Sequence, residues 1–222
     1  MNDPLFPPHE PSPAIRCLVI VGHVEGHTEL PGGVKTTKYE HVLPALAAME
    51  ESEDTRGLLI LINTAGGDVE AGLAIAEIIR GMRTPTASLV LGGGHSIGVP
   101  IAVAADRSFI APSAAMTIHP VRMQGTVIGA PETYAYLEKM QDRLLSFVSA
   151  NSGLSAAGYR RLMSNGGGNA GETGSILGSR EAVECGLIDR VGTLSDALAY
   201  LKEAGGVSSS AKPAEEEPSS PV

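Results

Sequence analysis

Leu89-Val90-Leu91-Gly92-Gly93-Gly94-His95-Ser96-Ile97-Gly98 is the stretch whose reading decides the fold. An apolar run feeds a glycine turn, and the turn opens the apolar, Ala-rich segment Ile97 to Ala105, which reads as a helix. Ser96 therefore sits at a strand-to-helix turn. Such a turn holds a hydroxyl clear of the sheet and aims the unpaired amides of a helix N-terminus at developing negative charge. The same G-x-S-x-G spacing also occurs where a glycine turn only connects, so its meaning depends on the residues around it.

Upstream, Gly57 to Asn63 is a second apolar run that ends in Thr64-Ala65-Gly66-Gly67-Asp68. Asp68 is placed to cap a helix over Val69 to Met82, with Val69, Leu73, Ala76 and Ile79 on its apolar face. Further back, Ile15 to Val21 is almost continuously apolar between Pro13 and Gly22, which suits a strand buried on both faces. Gly22 to Thr37 reads as a loop, and its glycines and Pro31 break any helix that would align His23 and His27 on a metal. Tyr39 to Met49 has helical spacing, with Pro44 tolerable near its first turn. Thr86 to Leu91 completes an alternation of strand and helix that predicts parallel strands joined by right-handed crossovers.

Downstream, Arg107 to Ala111 and Ala115 to Ile118 are short strands, the second ending at His119-Pro120. Residues 125–129 read as a loop or exposed strand. Pro131 opens a long helix to about Asn151, roughly 30 Å by helical rise and long enough to project beyond a small domain. Its apolar face either packs on its own sheet or meets another subunit. Ser155 caps a helix to Met163, and a glycine-rich loop follows over 164–174. A short helix from Glu181 to Cys185, a last strand from Leu187 to Val191 and a closing helix from Leu194 to Ala204 complete the folded part.

The chain of 222 residues accommodates one domain with a full core, taken as 14–204. A Pro-rich arm over 1–13 and an acidic Ser/Pro tail over 205–222 are expected to be disordered. With 43% apolar and only 4% aromatic residues, the core must be built of aliphatic side chains. A formal net charge of −9 argues against binding nucleic acid through bulk electrostatics. The N-terminus lacks signal-peptide features and no run is long enough to span a membrane, so a cytoplasmic protein is expected. Cys17 and Cys185 read as two core-type thiols rather than a disulfide or a metal pair.

A serine nucleophile needs a base within hydrogen-bond reach and donors for an oxyanion. His95 adjoins Ser96, but neighbouring side chains at a turn diverge. His119 is better placed, because the ends of parallel strands open onto one crevice. The order Ser then His, with so short a gap, disfavours an α/β-hydrolase, whose histidine comes last in the chain. Pro100 cannot donate to the carbonyl four residues back, which leaves that of Ser96 without its helical partner.

Four ordered blocks resemble the proteolytic subunit of the ATP-dependent Clp protease family, especially its translocation-enhancing-protein branch. They are Leu61-Ile62-Asn63-Thr64-Ala65-Gly66-Gly67-Asp68-Val69-Glu70-Ala71-Gly72, Gly94-His95-Ser96-Ile97-Gly98, Met116-Thr117-Ile118-His119-Pro120 and Glu181-Ala182-Val183-Glu184-Cys185-Gly186-Leu187-Ile188-Asp189. The resemblance implies an α/β, ClpP/crotonase-like fold of repeated β-β-α and βαβ units, with parallel sheets and a long projecting helix. It implies Ser96 as nucleophile, His119 as general base, and the Gly67 and Ile97 amides as oxyanion donors. It also implies no metal or organic cofactor, a peptide or unfolded-protein substrate, a homo-oligomeric ring and an ATP-driven (AAA+) unfoldase partner. The match departs at the third triad position, where the family carries Asp and this chain has Gly174. Glu172 is the nearest acid, and Ser175 or a backbone carbonyl are the alternatives for orienting His119.

The expected activity is thus serine endopeptidase chemistry through an acyl-enzyme. The alternatives are an accessory factor in protein export or development that keeps the fold with little hydrolysis, and an acyl-CoA enzyme of the crotonase type.

Overall fold

The computed structural model describes residues 14–123, 129–165 and 174–206. The predicted arm over 1–13, all but the first two residues of the predicted tail, most of the 125–129 loop, and Glu172 lie outside these residues.

In chain order the elements are β1 (Ala14–Glu25), β2 (Thr36–Lys38), α1 (Tyr39–Glu51), β3 (Thr55–Gly67), α2 (Val69–Gly81), β4 (Thr86–Gly94), α3 (Gly98–Val103), β5 (Arg107–Ile110) and β6 (Ala115–Ile118). There follow α4 (Ala130–Ala150), α5 (Ala156–Ser164), β7 (Ser175–Gly178), α6 (Ser179–Glu184), β8 (Arg190–Val191) and α7 (Leu194–Ala204). The main sheet runs β2-β1-β3-β4-β5-β8, and each of these pairs is parallel. After Pro112 the chain leaves that sheet. β6 then pairs in parallel with the far end of β4 and antiparallel with β7.

The helices follow from local chemistry. Asp68 Oδ1 accepts from the Ala71 amide at 2.8 Å and starts α2, as the capping pattern predicts. Ser155 Oγ accepts from the Gly158 amide at 3.1 Å and starts α5. Thr193 and Asp196 form a reciprocal capping box on α7.

The two faces of the sheet are covered unequally. One carries Leu18, Ile20, Leu58, Ile60, Ile62 and Val90 into the main core. The other carries Leu59, Ala87, Leu89 and Phe109 against α7, the one helix that covers it among the described residues. Eleven residues of helix reach only about 16 Å, so the C-terminal halves of the strands stay bare on that side. Val19 is 48% and Leu91 45% exposed there. The expectation that 15–21 is buried on both faces is therefore corrected to one face, and Cys17, expected in the core, is exposed.

Other departures have equally local causes. The segment from Gly22 continues β1 to Glu25 and adds β2, because Gly22 adopts φ 70° and lets the strand bend without ending. The strand expected over 187–191 is reduced to Arg190–Val191. Leu187 and Ile188 are buried, but both their amides donate to the Ala182 carbonyl at 3.0 Å and form a turn instead of a ladder.

Candidate active site

The site is built where β4 passes from one sheet partner to the next. Ala87 to Val90 pair with β5, whereas Gly93 pairs with Ala115 of β6. Asn63 Oδ1 accepts from the Gly93 amide at 2.9 Å and bridges the transition. A Cβ on Gly92 would lie 2.7 Å from that same oxygen, so the passage demands glycine. The chain then turns through Ser96, which alone among the described non-glycine residues adopts positive φ, at 55°. A strained backbone at this point is how a nucleophile is held out of the sheet.

Hydrogen bonds fix the turn on both sides. The Ser96 amide donates to the Thr117 carbonyl at 2.8 Å, tying the turn to β6 two residues before His119. The Val99 amide donates to the Ser96 carbonyl at 3.0 Å. The carbonyl expected to lack a partner because of Pro100 thus gains one three residues on, in a tighter turn. The Ile97 amide has no backbone partner among the described residues.

Gly67 is the last residue of β3, and there the ladder bond to the Val24 carbonyl comes from Asp68, at 2.9 Å. Gly67 has φ 155°, and a Cβ on it would collide with the Val24 backbone. Only glycine fits. Beside it, a Cβ on Gly66 would stand 2.7 Å from the Ser96 Cβ, so the two turns lie against each other.

Ser96, Ile97, Gly67 and His119 all line one cavity of about 280 Å³. The imidazole of His119 is held from within its own strand end, with Nδ1 2.7 Å from the Pro120 carbonyl. A carbonyl only accepts, so Nδ1 carries the proton and Nε2 is left as the basic nitrogen. Ser96 makes no hydrogen bond to that ring among the described residues. Such contacts tighten when substrate binds. Of the three orienting groups open from the sequence, the structure places a backbone carbonyl on Nδ1. Ser175 Oγ instead donates to the Leu162 carbonyl at 2.8 Å, and Glu172 lies outside the described residues. Gly174 has φ 140°, and a Cβ there would fall 2.6 Å from the Ile118 carbonyl oxygen and 2.9 Å from the His119 Cβ. The position has no room for a side chain.

His95 engages Thr117 and not Ser96, its Nδ1 lying 2.8 Å from Thr117 Oγ1. Burial pushes its pKa below the ordinary value of 6.5. Cavity residues that the sequence did not assign to the site include His23, whose segment read as a loop, Leu144 of α4 and Tyr159 of α5. Helical spacing assigns the last two to buried faces but does not tell a core from a cavity wall. Among the described residues no three His, Cys, Asp or Glu side chains gather into a metal-holding group. No described helix is long and apolar enough to cross a membrane.

The geometry is that of a strand-end serine with a histidine and paired amides, set on a parallel α/β sheet. Residues 19–195 match the Clp protease family model, and the chain belongs to the Clp protease family. It is 54% identical over 189 residues to the translocation-enhancing protein TepA of Halalkalibacterium halodurans, covering 85% of this chain and 74% of that one. It is 28% identical over 169 residues to an ATP-dependent Clp protease proteolytic subunit of Streptococcus pneumoniae, covering 73% and 82%. Among solved structures, the N165D mutant of ClpP1 from Listeria monocytogenes superposes with a TM-score of 0.65 at 20% identity. That match covers 82% of this chain and 94% of the other, and it supports the ClpP-type fold expected from the sequence.

Proposed function

We propose that this chain is a serine endopeptidase that cleaves peptides through an acyl-enzyme. Ser96 Oγ attacks the scissile carbonyl while His119 Nε2 takes its proton. The Gly67 and Ile97 amides receive the oxyanion, and the Pro120 carbonyl keeps the imidazole in the tautomer the reaction needs. His119 then returns the proton to the leaving amine, and water repeats the sequence on the ester. The observation that carries this reading is the gathering of Ser96, Ile97, Gly67 and His119 around one cavity with His119 Nδ1 already engaged. No step calls on a metal or an organic cofactor.

The test is covalent labelling with a fluorophosphonate probe, with mass spectrometry of the modified peptide. Modification of Ser96, absent in Ser96→Ala and slowed at least about a hundredfold in His119→Ala, is expected. An unmodified Ser96 beside a Clp protease that labels under the same conditions would overturn it.

Family membership brings two further elements of the proposal, a homo-oligomeric ring and an ATP-driven unfoldase that delivers unfolded protein. The pneumococcal relative is named as ATP-dependent. A cytoplasmic location accompanies them. A second reading is favoured by the similarity to a protein named for enhancing translocation. In it the fold and assembly serve protein export with little hydrolysis. Complementation separates the two: full rescue of a deletion by Ser96→Ala supports the accessory role, and failure to rescue supports catalysis.

A further inference from the structure

The cavity holding Ser96 and His119 has a second wall that acyl-transfer chemistry does not use. Val69, Val121 and Leu144 give it apolar surface, and Tyr159 of α5 and Arg122 line the cavity with them. Tyr159 is buried and packs beside Met163, one turn further along the same helix face. Its hydroxyl makes no hydrogen bond to any described residue. The one fully enclosed side-chain oxygen without a partner among these residues is Thr55 Oγ1, so the Tyr159 hydroxyl keeps contact with open space. Tyr159 lines this cavity. Burial raises its pKa to about 12, so the group is a neutral phenol at any working pH.

A peptide whose carbonyl oxygen sits between the Gly67 and Ile97 amides must place the side chain of the same residue in the adjoining space. The walls there exclude water from an apolar stem, and a phenol awaits the tip. Among the described residues no carboxylate lines the cavity to neutralise a cationic tip, and Arg122 already brings a positive charge there. Resting on the acyl-transfer geometry proposed above, we infer that the site selects, at the residue contributing the scissile carbonyl, a side chain with an apolar stem and a hydrogen-bonding tip that carries no positive charge, as in tyrosine or glutamine. Tyr159 is the specificity-determining residue. A substrate without such a tip leaves the phenol desolvated and unpaired, which is how a buried polar group discriminates against an apolar analogue.

The test uses matched acetyl-Ala-Ala-Xaa aminomethylcoumarin peptides with Xaa as Tyr or Phe, and as Gln or Met. In the full chain, kcat/KM is expected to favour Tyr over Phe and Gln over Met by about tenfold. In Tyr159→Phe, which keeps the ring and its packing, both ratios fall to near one. Equal rates within each pair in the unmodified protein, or ratios that survive Tyr159→Phe, would overturn the inference. To separate its failure from that of the peptidase reading, the product acids acetyl-Ala-Ala-Tyr and acetyl-Ala-Ala-Phe are titrated into Ser96→Ala by calorimetry. A Tyr159-dependent preference there, without turnover by the unmodified protein, upholds the specificity and sinks the peptidase. Absence of binding by either acid together with absence of turnover sinks both.

Discussion

At the scale of single residues, the orientation of His119 is the point on which the proposed catalysis turns. Its Nδ1 is satisfied by the Pro120 carbonyl at 2.7 Å, one residue along the same backbone. A carbonyl fixes the tautomer but carries no full negative charge, so the imidazolium that forms in the transition state is less stabilised than beside a carboxylate. Restoring an acid at the family's position is not a remedy, because a Cβ at Gly174 would press on Ile118 and His119. Gly174→Asp is therefore expected to lower peptidase activity and thermal stability together, measured by peptide turnover and by scanning fluorimetry. A rise in turnover would show that the backbone entering β7 yields to admit the carboxylate. Conversely, Glu172→Gln is expected to keep turnover within about threefold, since the proton on Nδ1 already has its acceptor; a loss of about a hundredfold or more would assign the orienting role to Glu172. His95 adds a pH signature. Because burial lowers its pKa in the fold, the unfolded chain binds a proton below pH 6.5 that the folded chain refuses. Stability contributed by neutral His95 is complete above pH 6.5 and declines as the pH falls through its lower folded pKa. The melting temperature of His95→Gln should accordingly fall less than that of the unmodified protein between pH 7 and about pH 5.

At the scale of elements, α2 and the Ser96 turn are fitted to each other through Gly72. A Cβ on Gly72 would collide with Ile97 Cγ1, and Ile97 is itself buried. Gly72→Ala gains helix propensity of about 1 kcal/mol but forces overpacking of about 1–3 kcal/mol. The expected net result is a modest loss of stability by denaturant titration and a larger loss of kcat, because the residue that must yield carries a proposed oxyanion donor. Unchanged kcat would show that the side chain of Ile97 moves without its amide. This fit also marks what the sequence could tell. Strand and helix order was legible because apolar runs and 3.6-residue spacing alternate cleanly from 39 to 105, and the glycines at 66, 67 and 92 to 94 announce close backbone approach. Ser96, His119, Gly67 and Ile97 could be proposed together because four spaced blocks constrain one another, and the fold brings the four to one cavity. β7 was not foreseen, since Ser175–Gly178 is four residues long and gains its strand geometry only by pairing with β6. The Pro120 carbonyl could not be found either. Every residue has a carbonyl, and only three-dimensional geometry singles one out.

At the scale of the whole molecule, the apolar surface left uncovered is the feature that calls for partners. The first turns of α4 carry Tyr134 at 64% and Tyr136 at 50% exposure, while its second half buries Met140, Leu144, Leu145, Phe147 and Val148. The helix thus divides into a packed base and a projecting end, as its length predicts. Exposed aromatic side chains on a projecting helix are the kind of surface that a second copy covers, since tyrosine gives large contact area at low entropic cost. Light scattering at micromolar concentration is expected to give a mass that is a multiple of 22.9 kDa. Replacing Tyr134 and Tyr136 together by Glu should raise the dissociation constant at least about tenfold, because charge at an interface core is strongly disfavoured. Leu144 lies on the same helix and lines the site cavity. Dissociation frees the projecting end of α4 and loosens that wall, so turnover per chain should fall on dilution in step with the mass, and earlier for the double variant. A mass of one chain at every concentration, with constant turnover per chain, would show that α4 projects for some purpose other than self-assembly.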